Sequence, residues 1–485
     1  MDDGRSQKPE MPATFPLDPP AVETPMIQLH FQHGTLVAPA MPADAEPVVG
    51  RYFVHDERTD TYRAAAHCYR DVVLHLKAAK LPFDDRARQF ERIALQRATE
   101  QTPFPHQKEA LDAWWAAGGR GIVELPTGAG KTFVAVLAIA KVMRPALVVV
   151  PTIDLMVQWQ KVLAEHLNQP VGVVGGGEKD RQSLTVTTYD SAAAQVEFHG
   201  DKFGLMVCDE CHHLPAPGYR FIAEGSLAPF RLGLTATLAR QDGGEAVAAQ
   251  LLGPLVHKVP IDALEGDYLA PYEVRSIQVT LTDEEQSMYD ECRQRYLTFL
   301  RQQGIQYSRP SWWSEFIMRA HRSAEGRAAF DGYRVQRRIA LTGQRKLEAL
   351  WKILMDHRDD RVIVFTEDTE MVYTLAQRFF LPGLTHHTRP AERKRLLEEF
   401  AAGQTRVLVT AKVLNEGVDV PEANVGVVLS GNGSVREHVQ RLGRILRKRP
   451  DKQAVLYEVF TDVAAEAGIS ERRRQHAAYA RADET

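Results

Sequence analysis

From about residue 100 the apolar positions fall into short runs that alternate with longer amphipathic stretches. GIVEL, TFVAVLAIAKVM, ALVVVP, IDLMVQWQKVLAEHL, LTVTTY and GLMVCDE read in turn as strand, helix, strand, helix, strand and strand. The alternation resumes at about 345 with KLEALWKILMDH, RVIVFT, EMVYTLAQRFF, RKRLLEEFAAG, RVLVTA, VGVVLS, REHVQRLGRIL and AVLYEVF. Short apolar strands separated by helix-length segments predict βαβ units, so each block should build its own parallel sheet. Between the blocks, at about 283–340, strand signals vanish and the pattern is helical. The predicted fold class is therefore α/β, with two such domains in tandem.

Composition changes this picture little. With 485 residues, 44% hydrophobic and 25% charged, the chain has ordinary globular proportions and room for several domains. The first 25 residues carry six prolines and predict disorder. MDDGRSQKPE is not a secretory leader, and runs such as ALVVVP are too short for a bilayer, so the expectation is a cytoplasmic protein with no membrane partner. Four cysteines in so long a chain make no disulfide framework. A net charge of −4 announces no nucleic acid, although a local groove can grip phosphates without a basic whole.

The first candidate chemistry is ELPTGAGKT, residues 124–132, lying between an apolar strand and a helix. A glycine-rich turn opening a helix directs backbone N–H groups and the positive end of the helix at a polyphosphate. Thr127, Gly128, Ala129 and Gly130 would form the cradle, Lys131 would pair with the outer phosphates, and Thr132 would ligate Mg²⁺. The general pattern has a glycine where Leu125 stands, so the match is not complete. A second site should then close a neighbouring strand, and GLMVCDECHHL supplies it with Asp209 and Glu210. Asp209 would hold Mg²⁺, and Glu210 would orient and deprotonate the attacking water. The same stretch spells C-x-x-C-H through Cys208, Cys211 and His212, but no second ligand pair accompanies it, and the cysteines read as packing residues.

DECH following a GKT loop, then LTAT at 234–237, resembles the superfamily 2 helicases and translocases. VLNEGVDVPEANVGV (413–427) and QRLGRILR (440–447) are similar to later motifs of that superfamily, in its order and at its spacing. Within it, LPTGAGKT and SGNGSVREHVQRLGRILR most resemble the archaeal and bacterial XPB-type DNA helicases, in which Leu125 would be a subgroup feature. The resemblance implies two RecA-like parallel-sheet domains, a helical thumb-like insertion and a small N-terminal α+β domain. The expected boundaries are 1–25 for the tail, 26–95 for the DNA-recognition-like domain, 96–262 for the first helicase domain and 263–485 for the second.

It also implies roles. Gln107 would read adenine, Gly417 and Asp419 would line the ATP cleft, and Gln440, Arg444 and Arg447 would complete catalysis from the second domain. Thr235 and Thr237 would couple the ATP site to the nucleic-acid site. Thr152, Thr187, Thr188, Thr366 and Thr410, at strand ends, are candidate DNA-backbone contacts. Arg240, Gln241 and Asp242 stand where the family carries an R-E-D strand-separation element, with Gln in place of Glu. Ten arginines from Arg293 to Arg338 surround Trp312 and Trp313, which either contact DNA or dock the insertion on the sheet domain.

The implied activity is Mg²⁺- and ATP-dependent movement along DNA, 3′ to 5′ by family analogy, with duplex opening in DNA repair. Two alternatives stay open. One is an RNA helicase or a duplex translocase that never separates strands, and the other is an ATP-gated clamp within a nuclease or repair complex. A separately encoded nuclease is the implied partner, with the chain itself a monomer or part of a hetero-complex.

Overall fold

The computed structural model describes residues 26–98, 100–238, 243–260, 262–264, 272–306, 309, 311–411, 423–429 and 454–463. The expectations for residues 1–25, for Arg240, Gln241, Asp242, Gly417 and Asp419, and for Gln440, Arg444 and Arg447 lie outside these residues.

The first block builds a sheet whose strands run, from one edge, Leu255–Lys258, Arg120–Glu124, Phe230–Thr235, Leu205–Asp209, Ala146–Val150, Leu184–Thr188, Val171–Gly175 and Glu178–Lys179. All neighbours are parallel except the last pair. The central strands are buried on both faces, as their unbroken Val/Ile/Leu runs require. Helices Lys131–Val142 and Ile153–His166 are the crossovers expected from the pattern; Tyr189–His199 is a third crossover, between the strands of LTVTTY and GLMVCDE that the pattern read as consecutive. The strands Val171–Gly175, Phe230–Thr235 and Leu255–Lys258 were not among the predicted runs. Glycines interrupt VGVVG and RLGLT, which weakens their apolar signature.

The second block is a parallel sheet ordered Tyr272–Val279, Ala454–Thr461, Val425–Val428, Val362–Phe365, Val407–Thr410, Gly383–Leu384. Helices Gln344–Asp356, Thr369–Phe379 and Pro390–Ala401 cover it. Because both sheets are parallel, each gathers the C-terminal ends of its strands on one edge, where ligands of open α/β sheets collect.

The helical insertion consists of Asp283–Gln302, Trp312–Ala320 and Ala324–Thr342. A reciprocal capping box starts it: Glu285 N–H donates to Thr282 Oγ1 at 3.2 Å, and Thr282 N–H to Glu285 Oε2 at 3.1 Å. Residues 26–85 make a separate five-stranded sheet ordered Val54–Asp56, Thr61–Ala65, Thr35–Ala38, Ile27–Gln32, Phe83–Asp85, backed by helix Tyr69–Ala78. It meets the first large sheet where Arg70 donates to the Pro229 carbonyl at 2.9 Å.

Candidate nucleotide site and strand-end rims

The strand Arg120–Glu124 ends in the loop 125–130, and the helix begins at Lys131 with no side-chain cap. Its first-turn N–H groups are therefore directed into the loop. Gly130 has φ +81°, a conformation that glycine adopts without strain, and a Cβ there would stand 2.2 Å from Gln107 Nε2 and press on that side chain. Thr127 Oγ1 is shielded from solvent and has no partner among the described residues. Leu125 explains the incomplete motif: its side chain is buried in the sheet–helix core and its N–H donates to the Thr235 carbonyl at 3.0 Å. An apolar residue there anchors the loop that a glycine would otherwise leave free.

Two strands away, Leu205–Asp209 delivers the carboxylates. Lys131 Nζ lies 3.4 Å from Glu210 Oε1, so the sequence-predicted lysine and carboxylate meet across 79 residues. Glu210 sits at φ 47°, ψ 51°, a left-handed conformation that costs a non-glycine residue energy and turns its side chain toward the loop. His212 Nδ1 lies 3.4 Å from Glu210 Oε2 and 3.2 Å from Thr235 Oγ1. Thr235 Oγ1 is 3.4 Å from Glu210 Oε2 and donates to the Thr237 carbonyl at 2.9 Å, while Thr237 N–H returns a bond of 3.2 Å. Thr235 therefore touches both the carboxylate and Leu125 of the loop, and Thr237 is tied to it. Thr132 stands half-buried beside Lys131 in the same helix turn.

Asp209 is held rather than loose. Trp159 Nε1 donates to its Oδ2 at 2.9 Å and Glu210 N–H to its Oδ1 at 3.0 Å. Burial, followed by the charge of Glu210, pushes its carboxyl up to about 6. Burial acts on Glu210 in the same direction, but Lys131, His212 and His213 outweigh it and hold that carboxyl below its ordinary range. One carboxylate is thus ionised and the other is poised, the usual division when two acids share a site.

Sequence reasoning missed three contributors. Trp159 is an unmarked position in a helix. His212 was read only within the cysteine pattern. Glu124, buried, accepts from Leu238 N–H at 3.0 Å and from Lys258 Nζ at 2.9 Å, tying the loop strand to its neighbours. Cys208 and Cys211 are free and buried, as expected of packing residues, and burial pushes the Cys208 thiol up to about 12.

Gln107 is buried, and its amide bridges Phe104 N–H (3.0 Å to Oε1) and the Ala129 carbonyl (3.1 Å from Nε2). It joins the start of helix Pro105–Ala116 to the phosphate loop. The strand-end threonines divide. Thr152 and Thr188 cap helices, accepting from Leu155 N–H and Ser191 N–H, each at 3.3 Å. Thr187, Thr366 and Thr410 are buried, and their hydroxyls donate to the carbonyls of Val174, Asp368 and Ala411. In this conformation those hydroxyls serve the rim itself, leaving backbone groups and nearby cations to face a ligand. Trp312 and Trp313 pack with Phe316, Tyr296 and Tyr333 in the insertion's own small core. Arg337 pairs with Glu367 at 2.5 Å and Arg338 with Glu370 of the second lobe. The tryptophans thus pack within the insertion, while its arginines make these contacts with the second sheet domain.

A triphosphate fits the residues present: an uncapped helix start, a glycine that permits close approach, a shielded hydroxyl without a partner, and a lysine whose present acceptor is a carboxylate. Mg²⁺ characteristically takes one or two carboxylates together with substrate phosphates, which Asp209 and Thr132 suit. Among the described residues no group of three or more His, Cys, Asp or Glu is arranged to hold a metal by itself. No described helix is long and apolar enough to cross a membrane.

Comparison with known proteins agrees with this geometry. The Type III restriction enzyme res subunit model matches residues 100–240, the helicase conserved C-terminal domain 345–449, and the xeroderma pigmentosum group B helicase damage recognition domain 29–87. The DNA 3′-5′ translocase XPB2 of Sulfurisphaera tokodaii is 39% identical over 425 residues, covering 85% of this chain and 94% of that protein. The DNA 3′-5′ helicase XPB of Mycobacterium tuberculosis is 32% identical over 386 residues, and this chain spans 62% of its length. The helicase domain of Pyrococcus furiosus Hef, at 18% identity and a TM-score of 0.50, covers 76% of this chain and 98% of its own, and shares the fold. The chain belongs to the XPB family of DNA 3′-5′ helicases and translocases.

Proposed function

We propose that this chain uses ATP, with Mg²⁺, to move 3′ to 5′ along DNA and open duplex ahead of it, in DNA repair. The observation that carries the reading is the Lys131–Glu210 contact at 3.4 Å, beside the uncapped helix start and two strands from the loop strand. In the proposed cycle Lys131 leaves Glu210 to hold the outer phosphates, which frees Glu210 to orient and deprotonate the attacking water. Asp209, fixed by Trp159, and Thr132 would hold the metal, which when bound neutralises charge on the transferring phosphoryl group. Thr235 and Thr237 would carry the state of Glu210 toward the rest of the rim. Gln440, Arg444 and Arg447 would enter from the second lobe, and Gly417 and Asp419 would line its side of the cleft. Residues 26–95 are assigned to DNA recognition, 96–262 and 263–485 to the two motor domains, and any strand cutting to a separately encoded nuclease.

The test is strand displacement on forks, bubbles and RNA duplexes, with Lys131→Ala as the blank. Displacement of DNA forks by wild type alone is the expected result. Turnover stimulated by RNA but not DNA, or by duplex without displacement, would move the assignment to the corresponding alternative track. Full activity of Glu210→Gln in a repair assay, without ATP hydrolysis, would instead support an ATP-gated clamp.

A further inference from the structure

The left-handed conformation of Glu210 needs support, because a non-glycine residue relaxes out of it unless its surroundings fix the flanking peptides. The peptide between Asp209 and Glu210 is fixed at both ends. Its N–H donates to Asp209 Oδ1 at 3.0 Å, and its carbonyl accepts from the phenol of Tyr189 at 2.9 Å. The next carbonyl, that of Glu210, accepts from His213 N–H at 3.0 Å and lies 3.5 Å from the same phenol.

Tyr189 comes from elsewhere in the sheet. It opens helix Tyr189–His199 directly after Thr188, and the strand ending there lies two places from Leu205–Asp209, with Ala146–Val150 between them. Tyr189 is 2% exposed, and its ring packs against those of Tyr219 and His213 with centroids 5.2 and 5.8 Å away. Burial raises the phenol well above its ordinary range, so it keeps its proton and stays a donor at neutral pH. A phenylalanine would fill the same core. What the hydroxyl adds is a hold on the peptide that aims the carboxylate.

We propose that Tyr189 is a positioning residue for phosphoryl transfer, its phenol holding the Asp209–Glu210 peptide so that the Glu210 carboxylate faces the nucleotide. The inference rests on the ATP-hydrolysis reading above. Without the bond, the Asp209 carbonyl loses its phenol donor and Glu210 relaxes from the strained conformation that directs it at Lys131 and the loop.

Tyr189→Phe keeps the ring and removes the bond. In the full chain with Mg²⁺, ATP and single-stranded DNA, kcat should fall by about 10–100-fold, the scale of a misplaced catalytic group. KM and calorimetric ATP affinity should stay within about 3-fold of wild type. In single-turnover assays on the Glu210→Gln background the same substitution should cost less than about 2-fold, because Tyr189 acts through that carboxylate. A fall in kcat of under about 5-fold overturns the proposal. So does a loss of ATP affinity in step with turnover, the mark of a purely structural tyrosine, and so does an undiminished further loss in the Glu210→Gln background. Full hydrolysis by Glu210→Gln would sink the reading of the carboxylate itself, whereas an inactive Glu210→Gln beside a fully active Tyr189→Phe sinks only this assignment.

Discussion

The strand-end rim of the first sheet has two halves built on opposite terms. On one half, after the strands ending at Glu124, Asp209 and Thr235, the helix start is uncapped, Glu210 is held left-handed, and Thr127 and Thr237 shield hydroxyls without partners among the described residues. On the other half, after the strands ending at Val150 and Thr188, Thr152 and Thr188 cap their helices and Thr187 donates to the Val174 carbonyl at 2.7 Å. The first half leaves polar groups waiting for a defined ligand. The second is internally saturated, and can hold only what backbone dipoles and mobile cations grip. The difference suits a triphosphate of fixed shape on one side and a strand of any sequence on the other.

The largest expected effect is at Lys131. Replacing it with Ala should cut ATP turnover by about 10²–10³-fold, as loss of a single preorganised charge contact does elsewhere, and steady-state ATPase assays measure it. Gly130→Ala should come next. A Cβ at φ +81° strains the loop backbone and, at 2.2 Å from Gln107 Nε2, must push that amide off the Ala129 carbonyl, so ATP affinity should fall by about 10-fold or more, read by calorimetric titration. Trp159→Phe removes the bond to Asp209 together with part of a buried ring, and should lower kcat by about 10-fold with little change in KM for ATP.

The saturated half should give small effects. Thr188→Ala loses a helix cap and about 1 kcal/mol of stability in urea unfolding, with DNA affinity little changed. Thr187→Val should leave oligonucleotide affinity within about 2-fold; a loss of tenfold would break the contrast between the halves. A smaller effect again concerns pH. A carboxyl raised to about 6 favours the folded state fully below its unfolded value near 3.8 and loses that contribution as pH rises through about 6. Metal-free Asp209→Asn should therefore gain stability relative to wild type between about pH 4 and 7, measured by thermal unfolding at several pH values.

Much of this was readable in order along the chain. The strand–loop–helix around GAGKT and the strand closing at Asp209 and Glu210 announce themselves because their chemistry is contiguous and their periodicity clean. What escaped was non-local. Trp159 reaches Asp209 across 50 residues, and Arg393 reaches Asp154 across 239; neither has a local signature. Threonines at strand ends look alike in sequence, and only the fold reveals which hydroxyls already have acceptors. The tryptophans of the insertion illustrate the same limit, since an aromatic pair beside arginines reads equally as a DNA contact or as a dock on the sheet domain, and the structure packs it with Phe316 inside the insertion. Leu125 is the converse case, a departure from a motif that becomes intelligible once its side chain is found in the sheet–helix layer.

The account's central claim is that Glu210 waits on Lys131 and becomes the catalytic base when the lysine takes up phosphate. Single-turnover hydrolysis and ATP binding by Glu210→Gln, in the presence of single-stranded DNA, test it most directly. Binding within about 3-fold of wild type with hydrolysis slowed by about 10²–10⁴-fold is the predicted outcome. Hydrolysis within a few-fold of wild type would contradict it.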